Sequence, residues 1–189
     1  NATSNKIFVG GMVGTNSGLI QNGIATHTNK NALMFSFENT PHNLTAITTM
    51  GAFEAVYAGK SIENAFGGLV GKNLGTITRA ETLQQIFNNN NYTQNINISS
   101  VGFAQTGGVA GQNGAADNGT SQIQNQAITG TISAIANNGA GGQNVGGIAG
   151  ANFAYITGAT MRAQISAVDY VGGIVGLDNA PQNAKNNKV

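Results

Sequence analysis

The sequence predicts an all-β fold, a right-handed parallel β-solenoid of about five to eight coils, on three observations. A single frame recurs five times along 189 residues: two glycines, an apolar pair, a glycine, a variable residue and an asparagine. Its aliphatics stay in register from copy to copy, and charged residues make up only 8% of a chain that is 40% hydrophobic. Internal repetition at this scale marks a stacked architecture in which each unit buries its apolar face against its neighbours. Right-handedness follows the general preference of crossover connections between parallel strands.

The frame begins at Gly10, Gly67, Gly107, Gly146 and Gly172. Two residues on stand Met12, Leu69, Val109, Ile148 and Ile174, which predict one interior column. Val13, Val70, Ala110, Ala149 and Val175 follow, always small or β-branched. Glycine then returns at Gly14, Gly71, Gly111, Gly150 and Gly176, where close approach of neighbouring backbones or a sharp bend is expected. The next position varies as Thr15, Lys72, Gln112, Ala151 and Leu177, so it is expected to face solvent. Asn16, Asn73, Asn113 and Asn152 close the frame, with Asp178 in the fifth copy. Asparagine tolerates turn conformations, and its amide bonds like amides above and below when identical turns stack.

These residues resemble the GLUG motif, named for its Gly-Leu-Val-Gly-like core, most closely at residues 67–77 and 10–20. The segments after the core, at 18–26 and 122–130, are also similar. The motif occurs in large bacterial surface and secreted proteins, including adhesins, autotransporter-type passengers and N-terminal regions of some immunoglobulin A proteases. The resemblance implies a β-solenoid in an extracellular or cell-surface location, a scaffold without catalytic activity. The motif cores cover about a third of the chain, and the last three copies depart from the pattern.

Between successive origins lie 57, 40, 39 and 26 residues. Taking the shortest as one coil, about 31 extra residues fall within residues 30–62. Alternating apolar residues there predict a hairpin or an additional coil, and 49–58 also fits a helical turn. A second excursion spans 81–91, with one helical turn at 82–87 and an asparagine tip. The chain then returns as a strand over 94–102. Strands are predicted at 121–129, 130–136, 154–160 and 161–168, with a loop at 137–142. The solenoid is assigned to 1–179 and a polar tail or linker to 180–189.

The composition excludes several functions. A net charge of +1 offers no basic surface for nucleic acid, and no apolar run is long enough to span a membrane. Without cysteine there is no disulfide framework and no thiolate metal site. The seven acids are scattered; Asp169 and Asp178 flank a motif copy and read as turn acids. His27 and His42 have no nucleophile in an elbow-like context, and no Gly-Lys-Ser/Thr ending follows the glycine pairs. No catalytic residue, cofactor or metal is expected.

Contact with a partner is expected in the two insertions, where aromatics and a histidine break the repeat: Phe35, Phe37, His42, Phe53, Phe87 and Tyr92. Loops on a rigid scaffold commonly carry function, and aromatics commonly anchor contacts. The partners expected are further coils or caps of the same polypeptide and a ligand on a host-cell, matrix or bacterial surface. Three readings differ in class: an adhesin stalk displaying binding loops, an accessory region of an extracellular protease or toxin, and a carbohydrate-active β-helix.

Overall fold

The structure, a computed structural model, describes residues 6–21, 24–27, 33–38, 43–48, 53–56, 63–79, 94–116, 120–135 and 143–180. Every regular element among them is a β-strand. The first repeat interval holds β1 (Lys6–Gly10), β2 (Val13–Asn16), β3 (Leu19–Gln21), β4 (Ile24–His27), β5 (Leu33–Glu38), β6 (Asn43–Thr48) and β7 (Phe53–Val56). The second holds β8 (Glu63–Gly67), β9 (Val70–Asn73), β10 (Thr76–Thr78) and β11 (Gln94–Val101). The third has β12 (Gln105–Gly107), β13 (Ala110–Asn113) and β14 (Gln122–Ile135), and the fourth β15 (Asn144–Gly146), β16 (Ala149–Asn152) and β17 (Tyr155–Ser166). The fifth copy contributes β18 (Val171–Gly172) and β19 (Val175–Asp178).

Three parallel sheets collect these strands by their place in the frame. The first runs β1-β8-β12-β15-β18, and the second β2-β9-β13-β16-β19. The third runs β3-β10-β14-β11-β7, with β17 also paired to β14. Each of the first four copies therefore visits the same three sheets in the same order. The repeat sets the register: Gly10 lies beside Gly67, Gly67 beside Gly107, and Gly107 beside Gly146. A small fourth sheet, β4-β6-β5, pairs β5 and β6 antiparallel, as a hairpin would.

The aliphatic column forms as the frame predicts. The Leu69 N–H donates to the Val109 carbonyl at 3.0 Å, Val109 to Ile148 at 3.0 Å, and Ile148 to Ile174 at 2.9 Å. Leu69, Val109 and Ile148 are completely buried, in one cluster with Phe66, Ile77, Ile96, Ile123, Ile128 and Ile132. Burying each such side chain contributes about 1.5–3 kcal/mol. In the third sheet Ile77 pairs with Ile123, and Ile123 with Ile156. The late entry of the third copy into this sheet, after Ala115, thus leaves the isoleucine column intact.

The asparagines form a ladder with one direction. Asn16 Nδ2 donates to Asn73 Oδ1 at 2.9 Å, Asn73 to Asn113 at 2.8 Å, Asn113 to Asn152 at 2.8 Å, and Asn152 to Asp178 Oδ1 at 3.0 Å. Each amide also serves its own turn. Asn73 Oδ1 accepts the Gly75 N–H at 3.3 Å, while its Nδ2 donates to the carbonyls of Gly75 and Gln122. The buried amides are thereby paired, which removes the penalty of an unpaired polar group in a core.

Several expectations need correction. The stretch expected as a helical turn at 49–58 contains β7, which pairs with residues 98–101 of β11. Its local helical spacing yields to the sheet edge that β11 presents. The strand pairs expected at 121–136 and 154–168 are single long strands, β14 and β17. Asn125 (φ 53°), Gly130 (φ 107°) and Gly158 (φ 60°) absorb the bends without ending the ladder. Residues 82–87, the asparagine tip and 137–142 lie outside the described residues. So does the tail apart from Ala180, which is buried and donates its N–H to Asp178 Oδ1.

Candidate functional site

The variable position of the frame does not face solvent in the middle of the stack. Thr15 is exposed, but Lys72 is only 7% exposed, Gln112 4% and Ala151 fully buried. The glycine before it lies in a tight seam between two sheets. A Cβ on Gly71 would stand 2.6 Å from Val9 N, one on Gly111 2.5 Å from Phe66 N, and one on Gly150 2.5 Å from Thr106 N. The second sheet thus rests closely on the backbone of the first, one repeat out of step. Of the side chains next along the strand, Lys72 reaches Glu63 and Phe8 of the first sheet, and Gln112 Nε2 donates to the Gly114 carbonyl.

Where this seam opens, Lys6, Glu63, Lys72, Gln105, Gln112, Ala115, Ala116 and Phe153 line a cleft of about 350 Å³. Lys6 and Glu63 are register partners on β1 and β8. The Lys6 ammonium lies 3.1 Å from Glu63 Oε2, and Lys72 Nζ donates to Glu63 Oε1 from the other side. Lys72 Nζ also sits 5.1 Å from the centre of the Phe8 ring, within cation–π range. The aliphatic stem of Lys72 is buried while its charge is matched, so the residue fastens the second sheet to the first.

Burial of the Glu63 carboxyl opposes its ionisation. The hydrogen bonds from Lys72 and Lys6, with the charges behind them, outweigh that effect and hold the carboxyl below its ordinary value of 4.5. A carboxylate held in this way is a poor proton donor near neutrality, so the arrangement is one for holding strands together. The sign of the pH dependence follows. Glu63 stabilises the fold fully above its unfolded value, and the contribution fades as pH falls through the lowered folded one. The melting temperature of the parent should therefore fall on acidification below about pH 4.5. Glu63→Gln, melted over the same pH range, should show a smaller acid loss; equal losses would assign the acid sensitivity elsewhere.

The residues predicted to meet a partner are not brought to this cleft by any described contact. Phe35 and Phe37 lie on β5, in the fourth sheet, and Phe53 lies on β7, opposite Ile98 of β11. His42, Phe87 and Tyr92 lie outside the described residues. The insertion placed at 30–62 is therefore not wholly outside the repeat, because β7 continues the third sheet. Asp169 and Asp178 behave as turn acids: Asp169 Oδ2 accepts the Gln143 N–H at 3.2 Å, and Asp178 accepts from Asn152 and Ala180. Among the described residues no three His, Cys, Asp or Glu side chains converge as a metal site would require.

Sequence reasoning passed over the Lys6–Glu63–Lys72 cluster, although a signal existed. Lys6 and Glu63 are separated by 57 residues, the interval between Gly10 and Gly67, so stacking in register must place them side by side. No protein-family model, curated protein or solved structure matches this chain.

Proposed function

We propose that the chain is a right-handed β-solenoid of five to eight coils, acting as a rigid structural segment of a bacterial secreted or cell-surface protein. In this reading it is an adhesin-type stalk or passenger that holds binding loops away from the surface. One observation carries the reading: the amide ladder from Asn16 to Asp178 runs unbroken through five copies of the frame and spends the polar groups of the turns on one another. A body whose conserved-in-register residues are consumed by stacking has rigidity to offer and little chemistry. The similarity of residues 67–77 to the GLUG motif supports the extracellular setting. The interruptions of the repeat are then the places for contact with a cell or matrix surface.

The test replaces residues 28–52 by a short Gly-Asn turn, which retains β7, and separately replaces 80–93 in the same way. Thermal melts and attachment of coated beads to cells are measured for both variants. Melting within about 3 °C of the parent, on the order of 1 kcal/mol, with attachment lost in at least one variant is the expected result. Full attachment by both variants would remove the display function, and collapse of both melts would make the insertions part of the core.

A further inference from the structure

The ladder ends in a residue that cannot pass it on. In each of the four asparagines Nδ2 points to the following copy and Oδ1 receives from the preceding one or from its own turn. Asp178 occupies the same slot on β19, the last strand of the second sheet, and a carboxylate has no N–H to give. Its Oδ1 already accepts from Asn152 and from the Ala180 N–H at 3.2 Å. Any strand stacked on β19 must therefore bring a donor to this slot.

A second copy of the chain would bring an acceptor. End-to-end stacking in the register of the repeat sets β19 against β2 of the next molecule, and Asp178 against its Asn16, because Asn152 meets Asp178 and Asn16 meets Asn73 in that way. Asn16 Nδ2 is committed to Asn73 Oδ1 at 2.9 Å and to the carbonyls of Gly18 and Thr76. What it turns to an incoming strand is Oδ1, which accepts the Gly18 N–H at 3.1 Å. A carboxylate would then face a carbonyl oxygen at a position that stacking buries, two acceptors in contact with no hydrogen between them.

The rest of that end favours association. Val171 on β18 is 50% exposed and Tyr170 beside it 68%, and Val171 holds the frame position that Val9 holds at the opposite end. Exposed parallel edges with apolar side chains invite pairing unless something blocks it. We infer that Asp178 is a polarity stop, which prevents copies of this chain from stacking end to end and restricts that edge to strands carrying a hydrogen-bond donor in the slot. The inference rests on the stacked-coil reading proposed above, which circular dichroism and melting of the same samples check separately.

Asp178→Asn restores the residue of the other four copies, and the variant is expected to fold as the parent does. In sedimentation velocity over a concentration range, the parent should remain monomeric. The D178N variant should form dimers and longer species, with association at least tenfold tighter. Adding Val171→Lys to D178N places a charge on the same edge and should return the monomer. Three results would overturn the inference: a D178N protein with intact fold that associates no more than the parent, a parent that already assembles, or D178N assembly indifferent to V171K. Loss of the β-sheet spectrum or of the cooperative melt in the parent itself would instead count against the stacked-coil reading.

Discussion

Leu69→Asp is expected to leave the chain without a cooperative thermal transition. Leu69 is completely buried and lies between Met12 and Val109, receiving the Met12 N–H at its carbonyl and donating its own N–H to Val109. A carboxylate there has no cation among the aliphatics of the column. The cost of an unpaired buried charge runs to several kcal/mol, against a total stability of about 5–15 kcal/mol for a domain. Leu69→Ala gives a graded measure, expected at about 2–5 kcal/mol and a melting temperature lower by roughly 5–15 °C. Lys72→Asp is the informative companion. Had the variable position faced water, it would be nearly neutral; with Lys72 buried against Glu63, it removes the pairing ammonium and sets two carboxylates together. A loss of about 2–4 kcal/mol is expected by denaturant unfolding, well short of Leu69→Asp. A silent Lys72→Asp would show that the seam between the sheets is not closed around it.

The contrast between these two positions explains what could be read in advance. The Leu69 and Asn73 columns were legible because each depends only on like residues meeting like, and the frame states that likeness five times. The burial of Lys72 was not, because variation from Thr15 to Leu177 looks like tolerance of solvent. Variation here reflects a seam whose outer cover changes along the stack, with Thr15 exposed and Ala151 buried. Strand ends were misplaced for a related reason. Gly130 reads as a break between two strands in a local scan, yet parallel partners on both sides of β14 carry the ladder through its bends. The cluster around Glu63 was written in the spacing of the repeat, but it emerges only when charges are compared across the 57-residue interval and not along the chain.

Glycine at the fifth position of the frame supports the other large expectation. Gly111→Ala should destabilise by about 3 kcal/mol, and Gly111→Val should prevent folding. Backbone conformation is not the reason, since Gly111 is absent from the residues with positive φ. A methyl group there would lie 2.5 Å from Phe66 N, 2.8 Å from Ala65 Cβ and 2.9 Å from Ala65 C. These atoms belong to β8, which is hydrogen-bonded on one side to β1 and on the other to β12, so it cannot shift alone. Relief requires the first and second sheets to part, and parting them would expose Lys72, Gln112 and the Glu63 pair together. The same contact recurs at Gly71, Gly150 and Gly176, with 2.6, 2.5 and 2.4 Å to a backbone nitrogen of the first sheet. Gly18→Ala is the matched control: nothing lies within 4 Å of its added carbon, and a change within about 0.5 kcal/mol is expected. Equilibrium unfolding of the two alanine variants decides the matter. Equal stability of Gly111→Ala and the parent would mean that the sheets have room between them, and the account of the buried lysine would fall with it.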